Sequence, residues 1–256
     1  LATQGAMSDF SSAWEAMTPA ERNKIRADYI ETPFAGGNSA YLETHNRIHD
    51  QFLRLLNTHT YYDFFMITTK GDVAYTVAKE VDFGASLFSP SLRDSGLAKV
   101  FRAALKSGTD GAVFHNDFAA HGPSNGKISS FAATPILDRN GKILGVFAIQ
   151  AGLEFSRSQL GQWSKAKSSY LVGPDRRIRA TSGDNDDLKP ILYTLRTAAV
   201  DKALAGETGY LIEDDFMSGR KSYFRYQPIR MLDEKWALLV GMPVDEIEGL
   251  AARSVR

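Results

Sequence analysis

Hydrophobic residues change their period several times along the chain, and each change marks an element. Over residues 8–31, Phe10, Trp14 and Met17 recur at helical spacing behind Ser8 or Asp9, either of which can cap. Thr18-Pro19-Ala20-Glu21 reads as a second helix start, with threonine as N-cap, proline at the first helical position and glutamate at the third. Pro33 and Gly36-Gly37 break the pattern. From about Ser39 to Leu56 the stripe Tyr41, His45, Ile48, Phe52 and Leu55 predicts another amphipathic helix with a packing face. The period then shortens. Tyr61 to Thr69 is rich in aromatic and β-branched residues, and the Lys70-Gly71-Asp72 turn leads into Val73 to Thr76. Ser91 to Ser107 returns to helical spacing, with Leu97, Val100, Phe101 and Leu105 on one side and Gly108 as the stop. Ser130–Ile136 and Gly145–Gln150 are apolar strands around Asn140-Gly141, which predicts a two-residue hairpin turn with positive φ at both positions.

The same order of elements then recurs. Ser169–Val172, a Pro174-Asp175 turn and Ile178–Thr181 are followed by a helix predicted over Leu188 to Leu204 and ended by Gly206. Strands at 209–213, 221–229 and 235–242 complete the second copy. Aligning Pro135-Ile136 with Pro228-Ile229 places Phe131 opposite Phe224, the signature of a diverged duplication. Glu154 to about Ser164 reads as a short helix between the copies. The acidic run Asp184-Asn185-Asp186-Asp187 precedes a predicted helix, so capping through the helix dipole explains it better than metal binding. Each copy is two strands, a helical excursion and three antiparallel strands, an α+β module with helices flanking an antiparallel sheet. The expected organisation is a long helical N-terminus over 1–57, a first module over 58–153, a connecting helix over 154–167, a second module over 168–244 and a C-terminal helix over 245–256.

Composition narrows the function classes. The 256 residues suffice for one large or two ordinary domains, and 43% hydrophobic content supplies a core. A net charge of +0 leaves no electrostatic footprint for nucleic acid, which is not expected as a partner. With no cysteine there are no disulfides and no thiolate zinc sites. No apolar run approaches the ~20 residues of a membrane span. The chain opens Leu1-Ala2-Thr3 without an initiator methionine and closes in a helix-like stretch, so it reads as an excised fragment. Enzymatic activity is not expected. Ser124 follows Pro123 rather than sitting in a nucleophile elbow, and Asp63 and Asp117 lack any spacing that argues for glycoside hydrolysis. No cofactor is expected either. His45 and His49 have metal-ligand spacing on a helix, but Asn46-Arg47-Ile48 lies between them and an arginine opposes a dication, so packing is the better reading.

The strand-turn-strand around Lys70-Gly71-Asp72, the Pro135-Ile136…Asn140-Gly141…Gly145-Val146 hairpin and the second copy ending Pro228-Ile229…Trp236-Ala237-Leu238 together resemble the double Cache sensor domain. This is the extracytoplasmic part of bacterial chemoreceptors and sensor kinases or cyclases, built from two tandem PAS-like modules. The resemblance covers essentially the whole chain. The segment Tyr75-Thr76-Val77-Ala78-Lys79-Glu80…Asp82-Phe83, with Asp117-Phe118 ahead of Pro123-Ser124, is similar to a chemoreceptor and cyclase-receptor subgroup. The resemblance implies a small-molecule ligand in the first, membrane-distal module, and a receptor anchored in the inner membrane with this segment in the periplasm. It also implies transmembrane helices on both sides and a cytoplasmic output domain. Amino-acid-binding members carry an Arg-x-x-Trp-Tyr-like stretch and an Asp on the last distal strand. Here the excursion reads Leu92-Arg93-Asp94-Ser95-Gly96-Leu97 without tryptophan, and the last-strand position is Gln150, which disfavours an α-amino acid. The alternative is an interaction module that senses through a periplasmic protein partner.

Gln150 is the leading site candidate, because a polar residue on an apolar strand needs a partner, either a ligand or a neighbouring loop. Phe131 and Tyr75 either wall a pocket or belong to the core. Lys79, His115 and Asp117 are the ionisable candidates, and His115 and Asp117 would share one face of a strand. Arg93 falls in the segment that aligns with the family's ligand clamp, where its planar fork suits a carboxylate. Tyr223, Arg225, Tyr226 and Trp236 are candidates for a second pocket, with packing as the competing role. Phe10, Trp14 and Met17 are a candidate face for homodimerisation through the N-terminal helix, with intramolecular packing as the alternative.

Overall fold

The computed structural model describes residues 2–31, 39–164, 166, 168–182, 192–231 and 234–254. They form two compact units, Leu1–Gly152 and Leu153–Arg256. The first begins with α1 (Ala2–Ala16), α2 (Pro19–Glu31) and α3 (Ser39–Thr58). The break between α1 and α2 falls at the capping box read from the sequence. Thr18 N–H donates to the Glu21 carboxylate at 2.8 Å, and Glu21 N–H donates back to Thr18 Oγ1 at 3.3 Å. α1 starts well before Ser8 and Asp9, so neither residue caps it. On α3 the packing stripe is Tyr41, His45, Ile48, Phe52 and Leu56; Leu55 is instead exposed, because the fifth position follows the i+4 step.

The strands follow as β1 (Tyr61–Thr68), β2 (Val73–Thr76), β3 (Phe114–His115), β4 (Ala119–His121), β5 (Lys127–Leu137) and β6 (Ile143–Gly152), with α4 (Gly96–Ser107) between β2 and β3. They pair antiparallel in the order β2-β1-β6-β5-β3, with β4 also on β5. α4 starts later than the sequence pattern predicts, at the Ser95 N-cap, whose side chain accepts from Ala98 N–H, and it ends at a left-handed Gly108 as expected. The β5–β6 hairpin is present, but its turn differs from expectation. Asp138 Oδ1 accepts from the N–H groups of Asn140 and Lys142, so only Gly141 takes positive φ and the turn spans 138–142.

The sheet is covered on both faces. Phe10, Trp14, Met17, Tyr41, Phe64 and Tyr75 form the core beneath α1–α3. Phe65, Leu97, Phe101, Phe131, Ala133 and Ala148 form the core beneath α4. Phe10, Trp14 and Met17 are therefore consumed inside the unit and present no face to a second copy.

The second unit contains α5 (Leu153–Trp163), β7 (Ser168–Val172), β8 (Ile178–Thr181), α6 (Ala198–Ala205), β9 (Gly209–Asp214), β10 (Lys221–Met231), β11 (Glu234–Pro243) and α7 (Val244–Ser254). Its strand order, β8-β7-β11-β10-β9, repeats that of the first sheet. The duplication read from the sequence is thus a duplication of topology. Of the helix predicted over Leu188 to Leu204, residues 188–191 lie outside the described residues, and the described α-helix begins at Ala198. Residues 192–197 are drawn out by a bridge from Thr194 to Arg177, and Thr197 caps the helix while Glu213 accepts from Ala198 N–H. The acidic run 184–187, Pro33 and Gly36-Gly37 lie outside the described residues. Among the described residues no helix is long and apolar enough to cross a membrane.

Candidate functional site

One row of side chains crosses three strands on the α4 face of the first sheet. Phe131 of β5 pairs with Gln150 of β6, which pairs with Asp63 of β1. All three are buried. Sequence alternation explains the row, because Gln150 shares its face with the core residues Val146 and Ala148, and Phe131 shares its face with Ala133. Gln150 Nε2 donates to Ser124 Oγ at 3.1 Å and Ser129 Oγ at 2.8 Å. Ser124 and Tyr62 hydroxyls both donate to the Glu80 carboxylate. His121 Nε2 lies 3.1 Å from Asp82 Oδ2, and the edge of its ring meets Phe131 with centroids 4.8 Å apart.

Asp63 has a structural half and a spare half. Its Oδ1 accepts from Phe64 N–H at 2.7 Å, Val77 N–H at 2.8 Å and Ala78 N–H at 3.0 Å, which ties down the chain leaving β2. Its Oδ2 is buried and meets no donor among the described residues. The same holds for Asp82 Oδ1 and Gln150 Oε1. Burial raises the Asp63 pKa above the usual carboxylate range, and the charge of Asp82 adds to the rise. The Ala78 and Val77 N–H donors and the Lys79 charge oppose it by favouring the anion.

Lys79 is the nearby cation. It adopts a left-handed backbone at φ 56°, with its N–H bonded to Thr76 Oγ1. Its ammonium bonds the Thr76 carbonyl and lies 4.2 Å from the Tyr75 ring centroid, 5.2 Å from Tyr29 and 5.5 Å from Phe83. Burial pushes its pKa down, and Asp63 draws it back up. Beyond these rings His45 stacks on His49 at 4.5 Å, and His49 Nδ1 lies 2.9 Å from Tyr75 Oη. Burial, then the Lys79 charge, lowers the His45 pKa to about 3. Among the described residues no group of three or more His, Cys, Asp or Glu side chains is placed to hold a metal ion.

The sequence candidates do not all converge. Gln150 and Phe131 are neighbours in the row, whereas Tyr75 lies on the opposite face, beneath α1–α3. Lys79 joins Tyr75 there, within electrostatic reach of Asp63. The shared strand face proposed for His115 and Asp117 does not form, because β3 ends at His115 and Asp117 turns to accept from Phe118 N–H. Arg93 lies outside α4, exposed, with its Nε 3.5 Å from Asp94. In the second unit alternation places Tyr226 on the α6 side, whereas Tyr223 and Arg225 are exposed on the other. Trp236 is buried beneath the Arg179 guanidinium, 5.6 Å from its ring centroid. Those four residues make no common pocket. Around the row also stand Asp63, Asp82, Glu80, His121, Ser124 and Ser129, none of which the sequence singles out as ligand-binding. Glu80, Asp82 and Ser124 stand inside the segments that carried the family resemblance, which was the available signal. Ser129 precedes Phe131 by two residues on β5, a period-2 signal toward the same face.

No protein-family model matches the chain, and no curated protein sequence matches it. Solved structures do match in fold. The ligand-binding domain of the Campylobacter jejuni chemoreceptor Tlp3 in complex with 4-methylisoleucine superposes with a TM-score of 0.52 at 13% identity, covering 95% of this chain and 90% of that one. The ligand-binding domain of the Pseudomonas aeruginosa PAO1 amino acid chemoreceptor PctB in complex with L-Arg gives 0.51 at 15% identity, covering 96% and 92%. With two α+β units of repeated antiparallel topology and near-complete coverage in both directions, the chain has the fold of chemoreceptor ligand-binding domains, the double Cache architecture its sequence resembles.

Proposed function

We propose that this chain is the extracytoplasmic ligand-binding sensor domain of a transmembrane signalling receptor, taking a small molecule in its first module rather than catalysing a reaction. The observation that carries the reading is the buried row of Asp63 and Gln150 beside Asp82, in which three acceptor oxygens lack a donor among the described residues. Buried polar atoms are normally satisfied, and a set left open in one place is where a ligand supplies the missing partners. The fold agrees, since the similar structures are ligand-binding domains of chemoreceptors. Gln150 and Phe131 are the proposed direct contacts. Lys79 and Tyr75 link the Asp63 end of the row to Tyr29 of α2 and His49 of α3. Ligand at the row then biases the packing of the helical face, provided that it binds one arrangement more tightly than the other. In the full receptor the helical region 1–57 and the C-terminal helix 245–256 carry that bias to and from the inner membrane, with the modules at 58–153 and 168–244 in the periplasm.

A thermal-shift screen against amines, carboxylates, amino acids, purines and sugars tests the reading. A ligand at a hundredfold excess over its Kd adds about 2.7 kcal/mol, a shift of several degrees for a chain of this size. The shift should vanish in Gln150→Ala. A panel without any shift sinks direct sensing. The second reading, recognition of a protein partner, has one observation in its favour. Ile212, Tyr223 and Met242 form an exposed apolar row across β9, β10 and β11.

A further inference from the structure

Taking the ligand-binding reading of the first module as its basis, we infer that the site is built for an alkyl amine without a carboxylate, its ammonium held by Asp63 Oδ2, Asp82 Oδ1 and Gln150 Oε1. All three oxygens are acceptors, buried, and without a donor among the described residues. Their residues are neighbours. Asp63 and Gln150 are register partners, Asp82 acts electrostatically on Asp63, and His121 bridges Asp82 to the Phe131 ring beside Gln150. An alkylammonium offers three N–H donors and one positive charge, which matches three acceptors among carboxylates.

The polar atoms around the row argue against a carboxylate on the same ligand. The Lys79 ammonium is committed to the Thr76 carbonyl and three aromatic rings. Lys127 lies over the Tyr62 ring at 3.9 Å, and His121 faces Asp82. Arg93, the residue aligned with the family's clamp, is exposed beside Asp94. The donors Ser124 Oγ and Gln150 Nε2 are spent on Glu80, Ser124 and Ser129. Arg26 of α2 spends its Nη2 on the Val81 carbonyl and leaves its buried Nε without a partner among the described residues, on the helical side. A ligand carboxylate at the row would meet Asp63, Glu80 and Asp82, a like-charge contact among buried and half-buried groups. The Phe131 ring stands at the β5 end of the row, packed against Phe65 and His121, as its apolar wall beside Gln150. A competing arrangement uses no ligand: a proton on Asp63 Oδ2 donated to Gln150 Oε1 satisfies two of the three oxygens.

The deciding experiment is calorimetric titration of the chain with n-pentylamine and with L-norleucine, which is the same skeleton bearing a carboxylate. n-Pentylamine should bind at least tenfold more tightly. Asp63→Asn keeps an acceptor for Phe64, Val77 and Ala78 N–H but turns the spare oxygen into a donor, so n-pentylamine should weaken at least tenfold. Asp82→Asn should do the same, and it carries the test if Asp63→Asn does not fold by hydrogen exchange. Equal or tighter binding of L-norleucine overturns the inference. So does a failure of n-pentylamine, methylamine and 1,4-diaminobutane all to bind at millimolar concentration, the result the proton arrangement gives. A neutral or anionic ligand that binds and is lost in Gln150→Ala removes the amine class and leaves the sensor reading standing. No binding from any class removes both.

Discussion

The same row of three strands is written differently in the two units. In the first it reads Phe131, Gln150, Asp63; in the second it reads Phe224, Gly241, Ser168. Where Gln150 extends a polar side chain, Gly241 has none, and the Phe224 ring fills the space. A Cβ at Gly241 would meet Phe224 Cε1 at 2.3 Å and the Ser168 carbonyl at 2.8 Å. One topology therefore supports two interiors: a row with unspent acceptors and a row closed by its own aromatic ring. The outer faces differ in the opposite sense. The first sheet is covered by α1–α3, whereas the second leaves Tyr210, Ile212, Tyr223 and Met242 exposed. The lesson is that duplication conserved the ladder and released the faces, so that the polar interior of the first module and the open face of the second are separate specialisations.

Removing the polar anchor gives the largest expected effect. Asp63→Ala strips the acceptor from three backbone N–H groups and should destabilise the first unit by roughly 3 kcal/mol, since each buried donor left open costs about 1–3 kcal/mol. Hydrogen exchange should report faster opening of β1 and β2 with the second unit unchanged; equal loosening of both units breaks the contrast. The reciprocal test is Gly241→Ala. Overpacking against Phe224 and the strand backbone should destabilise the second unit by about 1–3 kcal/mol, and pairing it with Phe224→Leu should recover part of the loss. Unchanged stability in Gly241→Ala would mean that the ring does not close the row.

Acid should also separate the units, because all five histidines lie in the first. The His45 pKa is lowered from 6.5 to about 3. Its contribution is thus fully present above pH 6.5 and drains as pH falls toward about 3, at up to about 1.4 kcal/mol per pH unit for one proton. Asp63 runs the other way. Its raised pKa makes its contribution full below the ordinary carboxylate value, to be lost as pH rises through the folded-state value. His45→Phe should flatten the acid limb of the first unit, read by hydrogen exchange over about pH 7 to about pH 5. A slope that survives the substitution assigns the acid response to another group. The smallest effect belongs to the open face. Tyr223→Ser should change stability by less than about 0.5 kcal/mol, because the side chain is exposed. A larger loss would show that this face is less open than its exposure indicates.

Much of this architecture was legible in the chain. The strand runs of both copies, the Thr18–Glu21 capping box and the Gly108 stop are local signals, and local physics decides them. Where an expectation failed, a side-chain or bridge contact outside the periodic pattern had intervened. Asp138 reshaped the Asn140-Gly141 turn, and the Arg177–Thr194 bridge holds the chain extended just before α6, whose Ala198 N–H donates to Glu213. Gln150 stood out because a lone amide on an apolar strand violates its own pattern. Asp63 did not, because it stands near the start of β1, where a carboxylate reads as a surface residue until the chain after β2 folds over it.

The sequence alone determined the order of elements, the duplication and the fold class, since periodicity and turn chemistry act between neighbours. Only the tertiary structure decided which polar groups share a burial. Asp63, Asp82, His121, Ser124, Ser129 and Gln150 are spread over nearly ninety residues, and register and loop closure are what bring them to one end of one sheet. It also decided that Tyr75 and Lys79 face the helices while Phe131 and Gln150 face α4, because a strand sends alternate residues to opposite sides and only pairing fixes which side is which.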